Sequence, residues 1–304
     1  MHANLLPMEL LIDHLCHRAA LRLATLPPQH PLTPLVRRCA AHLPKQHVST
    51  IHRLMHIYGI DPTALEIIQP VSRHPALQSR IHVSIAKTRE DAVVAEQGID
   101  EGTKIFTDGS GHNGHAGSAA ILLQTTGRFK ALRFHLGELT KHTVYESELV
   151  GLLLATELIH QNLSAPEPFH IFLDNQAAIQ APTRSANKSG QYISEAILTA
   201  MRKPRRTGQR PPEIHLHWIA GHEGVLGNEM ADAHAKRAAS GESSPASQLP
   251  IILRKVLPPS PVALQQEHLR QLKKRWKEIW KVSPRFPRLR AYREFPSAAY
   301  LRLL

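Results

Sequence analysis

The sequence predicts an α/β fold built on a five-stranded mixed sheet flanked by helices, with helical extensions at both its N- and C-terminal ends. Three observations carry this reading. Between about Thr103 and Ser240, short apolar stretches and helical periodicities follow the order βββαβαβα, with room for one further brief helix. Two of the short stretches, IFTDGS and FHIFLD, each run into an aspartate. The zones on either side carry helical stripes instead of strand alternation. Such an order gives three layers with mixed strand directions, since tight turns join antiparallel strands and helical crossovers join parallel ones.

Taken in order, the first element is a helix from about Pro7 to Leu26. Met8, Leu11, Leu15, Ala19, Leu23 and Leu26 recur there at helical spacing, and Pro27 and Pro28 stop the run. A second helix is expected around His47 to Tyr58, before Gly59, and the weakly patterned stretch Ser79 to Asp100 reads as a link. KIFTDGS, GSAAILLQ and RFKALRFHL are three strands, with Gly127 near the second turn. A helix from about Thr143 to His160 presents Val144, Leu149, Leu152, Leu153 and Ile159 as its apolar face, with Glu146 and Glu157 expected on the exposed side. FHIFLD is the fourth strand, followed by a brief helix from Asn175 and another over Gln191 to Arg202. EIHLHWIA alternates Ile214, Leu216 and Trp218 as a fifth strand, and a last helix runs from Asn228 to Ala239. The polar GESSPASQ reads as a linker to a long basic helix over Val262 to Val282. The expected boundaries are 1–100 for a helical segment and linker, 101–241 for the α/β domain, and 242–304 for a linker and basic helical tail.

Composition narrows the class. At 304 residues and 42% hydrophobic the chain can bury a sizeable core. A net charge of +12 favours a polyanionic partner such as nucleic acid. That charge is concentrated, because Ile251 to Leu304 holds 13 Lys and Arg against 3 acids. Cys16 and Cys39 provide no disulfide framework, which favours a reducing compartment. HLCH and CAAH invite a zinc reading, but no CxxC pair supports it, and with 21 histidines the default is packed or solvated imidazoles. No apolar run approaches the length of a membrane span. The N-terminus lacks the basic region of a signal peptide, so an intracellular location, nuclear or cytoplasmic, is expected.

Four carboxylates stand at the edges of apolar stretches: Asp108 in IFTDGSG, Glu148 in TVYESELVGLLLA, Asp174 in FHIFLDNQAA and Asp232 in GNEMADAHAKRAA. Asp108 closes the first strand and Asp174 the fourth. If these strands are parallel neighbours, the two side chains meet at their C-terminal ends, where open α/β sheets place sites. Glu148 and Asp232, each about one turn into a helix, can complete the ring. Gathering four negative charges is costly unless cations cancel them. Two divalent ions about 4 Å apart are a known arrangement for phosphodiester cleavage. Singly, each acid has a plainer reading: Asp108 as a turn former, Glu148 as an exposed helix acid, Asp174 as a helix cap, Asp232 as a solvated side chain.

TDGS, SEL, LDNQAA and WIAGHEGVLGNEMAD resemble, in order, the four motif blocks of type 1 ribonucleases H, over slightly under half the chain. The last block is the most specific, with Gly221, His222, Asn228, Glu229, Ala231 and Asp232 matching. The resemblance implies a ribonuclease H-like fold and an endonuclease that cuts the RNA strand of RNA–DNA hybrids, leaving 3′-hydroxyl and 5′-phosphate ends. It implies two Mg²⁺ or Mn²⁺ ions, with Asp108 bridging both, Glu148 and Asp174 holding one, and Asp232 helping to hold the other. Glu148 would also touch a ribose 2′-hydroxyl. His222 would assist product departure, and Gly109, Ser110, Asn113 and Asn228 would lie near the nucleic acid. The loop GHNGHAG is shorter than in many members of the family. Exonucleases of the same superfold favour DxE on the first strand, whereas here Ser110 follows Gly109. Transposase and integrase cores end in Asp, Asp, Glu; this chain has Asp, Glu, Asp, Asp.

The flanks narrow the comparison. PMELLIDHLCHRAALRLATLPPQHPL resembles the region after the polymerase in fungal non-long-terminal-repeat retrotransposon reverse transcriptases, and the basic tail is similar to their post-nuclease segment. This implies a C-terminal piece whose polymerase portion is missing; no YxDD is present. RKPRRTGQR carries five Lys or Arg residues, while only the short APTRSANKSG stands where bacterial enzymes have a basic helical handle. In the tail, LKKRWKEIWK has two readings. Trp276 and Trp280 either stack on single-stranded nucleic acid or dock an amphipathic helix with its charges solvated, and the second is favoured. The alternative for the whole chain is a catalytically inactive, retrotransposon-derived module that binds nucleic acid or serves structurally.

Overall fold

The computed structural model describes residues 6–41, 48–70, 80–124, 127–184, 188–221, 223–284 and 287. In chain order, α1 (Met8–Ala24), α2 (Thr33–Ala41) and α3 (Thr50–Ile57) precede β1 (Ile81–Ser84) and α4 (Arg89–Gln97). There follow β2 (Thr103–His112), β3 (His115–Leu123), β4 (Phe129–Glu138), α5 (Val144–Gln161) and β5 (Phe169–Leu173). The chain continues through α6 (Gln176–Gln180), α7 (Gln191–Met201), β6 (Ile214–Trp218), α8 (Leu226–Ala239) and α9 (Pro261–Lys281). These form two compact units, one of Met1–Leu65 with Pro261–Leu304, the other of Glu66–Ser260.

The helical unit packs Ala20, Leu21 and Ala24 of α1 against Val36, Met55 and Leu264. This is not the expected stripe of α1: Met8 and Leu15 are 70% and 50% exposed. The helix is apolar on more than one side, so spacing alone leaves its inward face undecided. The helix α2 falls between prolines and was not legible as an element. On α9, Leu272 and Trp276 pack with Leu10 of α1. Trp276 and Trp280 are both buried, so their rings are held by the protein and not presented to bases.

In the second unit the mixed sheet carries six strands, ordered β1-β6-β5-β2-β3-β4. The additional strand, β1, is four residues at the sheet edge and pairs parallel with β6 from Ile81↔Ile214 to Ser84↔His217. It is too short for alternation to reveal it, and it lies in the stretch read as a link, as does α4. β2, β5 and β6 are parallel neighbours, while β2–β3–β4 run antiparallel. Asn113 and Gly114, with φ of 49° and 78°, form the two-residue turn between β2 and β3, the conformation that Asn-Gly favours in hairpins.

Successive residues of β3 show how the layers form. Gly117 faces α8, where an added Cβ would lie 2.0 Å from the Ala239 nitrogen. Its neighbour Ser118 donates to the Ser147 carbonyl of α5 at 2.7 Å. Strand alternation therefore puts α5 and α8 on opposite faces. Ile105, Leu149, Leu152, Ile171, Ile197 and Leu216 belong to the core on the α5 and α7 side, and Phe106, Ile121, Phe172 and Ala231 to the core under α8. Fully burying side chains of this size contributes roughly 1.5–3 kcal/mol each.

Glu146 departs from its expected exposure and is fully buried. Its carboxylate folds back to accept from the Thr143 nitrogen at 2.8 Å, while the Thr143 hydroxyl accepts from the Glu146 nitrogen at 3.1 Å. This capping box supplies partners for two otherwise orphaned donors at the start of α5. Glu66 is also buried; it accepts from the Ser189 hydroxyl and, at 2.8 Å, from the Gly190 nitrogen. Beyond α8, the Ser243 and Ser244 hydroxyls accept from the His135 and Arg133 nitrogens of the edge strand β4, and Leu249, Leu253 and Leu257 join the core. No described helix is long and apolar enough to cross a membrane.

Candidate active site

The register of β2 and β5 brings the first two acids level. Phe106 pairs with Phe172, so Asp108 and Asp174 each lie two residues beyond a matched pair, at the same end of parallel strands. The Trp218 indole nitrogen at the end of β6 donates to the Asp174 carbonyl at 2.9 Å, and the Asn175 side chain caps α6. The loop after β6 closes on Asp174: a Cβ on Gly221 would lie 2.7 Å from its Oδ2.

The third acid arrives from α5. Gly109 lets that helix approach, since a Cβ there would lie 2.4 Å from the Glu148 nitrogen and 2.6 Å from the Ser147 carbonyl carbon. Carboxylate oxygens of Asp108, Glu148 and Asp174 consequently all lie within 4.8 Å of one another. Asp108 and Glu148 are buried and Asp174 is half-buried. Asp232, on α8, stands outside that group but acts on it: its charge helps to raise the proton affinity of Asp108. Its own Oδ2 accepts from Lys236 Nζ at 2.7 Å, one helical turn further on.

Burial is the main reason that the Asp108 carboxyl is pushed up to about 7; the charges of Asp174 and Asp232 add to it, and the Gly109 N–H and Lys236 work against it. Glu148 is raised well above the usual carboxylate range, again first by burial and then by Asp108 and Asp174. The Gly109 N–H is the backbone donor opposing both shifts. Glu148 Oε2 is buried without a hydrogen-bond partner among the described residues. A buried acceptor without a donor costs about 1–3 kcal/mol, and an oxygen-only donor set of this kind suits hard divalent cations.

The sequence-predicted nucleic-acid contacts are dispersed. Gly109 is buried beneath α5, and Ser110 is half-buried. Asn113 is exposed at the hairpin tip, roughly 16 Å along the strand from Asp108 at the usual rise per residue. Asn228 is 4% exposed and its Oδ1 has no partner among the described residues. His222 lies outside the described residues.

Residues 100–240 match the RNase H family model. The matched segment takes in all four carboxylates, β2 to β6 and α5 to α8, so the mixed α/β architecture and the family match concern the same stretch. Among solved structures, the chain is similar to LC11-RNase H1 in complex with an RNA/DNA hybrid, at 15% identity and a TM-score of 0.36, over 45% of this chain and 96% of that one. It is also similar to RNase H1 from the halophilic archaeon Halobacterium salinarum NRC-1, at 15% identity and a TM-score of 0.34, over 46% of this chain and 98% of that one. No curated protein matches the sequence.

Residues that sequence reading did not single out also shape the site. Lys236 sits four residues after Asp232, the i,i+4 spacing at which helical side chains pair. Gly221 was noted only as part of a motif, and its need for a missing Cβ becomes visible once the β6 loop is placed against Asp174.

Proposed function

We propose that this protein is a metal-dependent endonuclease that hydrolyses the RNA strand of RNA–DNA hybrids, leaving 3′-hydroxyl and 5′-phosphate ends. The observation that carries the reading is the convergence of Asp108, Glu148 and Asp174 within 4.8 Å, inside the segment that matches the RNase H family. Asp108, Glu148, Asp174 and Asp232 would hold two Mg²⁺ or Mn²⁺ ions. Bound there, such ions supply the activation of water and the charge stabilisation on the leaving oxygen that in-line phosphodiester cleavage requires.

The chain's own groups do the positioning. Asp108, with Glu148 and Asp174 close by and the Asp232 charge also acting on it, is the acid suited to being shared. Glu148, fixed by the capped start of α5, is assigned the ribose 2′-hydroxyl contact that distinguishes RNA from DNA. His222 is assigned to product departure; Gly109, Ser110, Asn113 and Asn228 are assigned to the nucleic-acid side of the site. The nuclease chemistry is assigned to the segment 101–241, which lies within the compact unit Glu66–Ser260. The sequence-based bounds of 1–100 for a helical segment and linker and 242–304 for a linker and basic helical tail therefore each include residues of that unit. The likeness of the flanks to retrotransposon polyproteins supports an origin beside a polymerase portion.

A labelled RNA–DNA hybrid, incubated with the protein in Mg²⁺ and in Mn²⁺, tests the reading against Asp108→Asn. Cleavage by the unsubstituted chain that is lost in the variant is expected. Equal activity in both refutes the assignment, and hybrid binding without cleavage in either metal favours an inactive binding module.

A further inference from the structure

Histidines cluster on the β1–β6–β5 part of the sheet. His215 on β6 pairs with His170 on β5 and with His82 on β1. His217 lies two residues beyond His215, hence on the same face. His170 Nδ1 and His217 Nε2 are 3.0 Å apart, and nitrogens of His170, His215 and His217 all lie within 4.8 Å of one another. Glu213 Oε1 stands 3.2 Å from His215 Nε2, placing negative charge beside the cluster.

Such crowding is unfavourable to protonation. Burial, then the His170 and His215 charges, pushes His217 down to about 4; burial, then His215 and Lys104, lowers His170. Imidazole binds metal through a nitrogen that carries no proton. Tetrahedral Zn²⁺ with Zn–N bonds of about 2.0–2.1 Å holds its nitrogens roughly 3.4 Å apart. The His170–His217 separation is already close to that value, and a His215 nitrogen lies within 4.8 Å of both. Carboxylate beside a ligating histidine is a common feature of metal centres.

We propose that His170, His215 and His217 form a second metal centre, distinct from the carboxylate site, which takes one Zn²⁺ or similar borderline transition-metal ion. The two sites differ in donor chemistry. Imidazole nitrogens select Zn²⁺, Cu²⁺ or Ni²⁺, whereas the four acids offer only oxygen. An ion there joins β5 to β6, the strands whose ends carry Asp174 and the loop that closes on it. The neighbouring His82, Glu213 and His215 form a second candidate triad, but Glu213 is also engaged by Arg80 at 3.4 Å, and His82 is half exposed.

The test uses the full chain carrying Asp108→Asn and Asp174→Asn to silence the acids, stripped with chelator and titrated with Zn²⁺ in millimolar Mg²⁺. One tightly held Zn²⁺ per chain is expected, with a rise in melting temperature. His217 stacks on Phe172, which stacks on Phe106, so adding His217→Phe extends that stack and should preserve folding; it is expected to weaken binding at least 100-fold, as is His215→Gln. His82→Asn is expected to leave binding unchanged. No tight Zn²⁺ in the parent, unaltered Zn²⁺ binding in folded His217→Phe, or loss of binding in His82→Asn alone would each overturn the proposal.

Discussion

Glu66 and Asp108 are buried acids of the same unit, and both carboxyls are pushed up to about 7, chiefly by burial. Their neighbours differ. Glu66 faces a serine hydroxyl and a backbone N–H, so the protein itself supplies its donors. Asp108 faces Asp174 and Asp232, with Glu148 alongside, and the Gly109 N–H and the more distant Lys236 charge offset that crowding only in part. A buried carboxylate provided with donors acts as an internal staple, whereas carboxylates set against one another leave lone pairs for a cation from outside.

The contrast is open to attack, most forcefully at Asp108. Asp108→Asn is expected to reduce hybrid cleavage by at least about 100-fold, more than the loss typical of an outer-sphere partner of a metal. In chelator it should leave thermal stability unchanged or higher, because one member of a repelling group is neutralised. A clear fall in melting temperature would make the acid rim structural and dissolve the distinction.

Next in size is the response of metal binding to pH. With the Asp108 carboxyl at about 7 and Glu148 also raised, an arriving cation must displace at least one proton below that pH, so affinity should fall by about tenfold or more per unit as pH drops from 6 to 5. Calorimetric titrations in buffers of different ionisation enthalpy would reveal the released proton; a pH-independent affinity would contradict the arrangement.

Glu66→Ala takes the acceptor from Ser189 and Gly190 and should destabilise the fold by about 2–3 kcal/mol in denaturant titrations, while each folded molecule keeps its cleavage activity. The milder Glu66→Gln isolates the titration. A carboxyl raised from 4.5 to about 7 favours the folded state most at pH below 4.5, and that contribution is lost as pH rises through 7. Asp108 acts in the same sense, so in chelator Glu66→Gln should flatten only part of the decline, and Asp108→Asn another part. The smallest effect is expected at Thr143→Ala, about 1 kcal/mol for the lost cap of α5; a larger drop in activity than in stability would show that the cap also sets the aim of Glu148.

The legible parts of the molecule were those with a local signature. Strands β2 to β6 and helices α5, α7 and α8 follow from alternation and periodicity within their own residues. Asp108 and Asp174 were readable as strand-end acids because each follows an apolar run directly. Glu146 was not, because α5 is buried on nearly all sides and its apolar face gives no clue to which polar residue turns inward. β1 was hidden for a different reason: IHVS becomes a strand only through pairing with β6. The histidine cluster combines both cases, since His215 and His217 announce a shared face while His170 joins them only through strand register. The inward side of α1 depended on partners distant in sequence.

The Asp232–Lys236 pair carries one more consequence. A tethered ammonium already occupies one oxygen of Asp232, so under the proposed function loading at that end would be an exchange of counterions instead of capture by a bare anion. The protein thus carries its own monovalent understudy, which would have to step aside at Asp232, whereas Glu148 Oε2 has no hydrogen-bond partner among the described residues. Under the proposed function, filling would therefore proceed from the Glu148 side first.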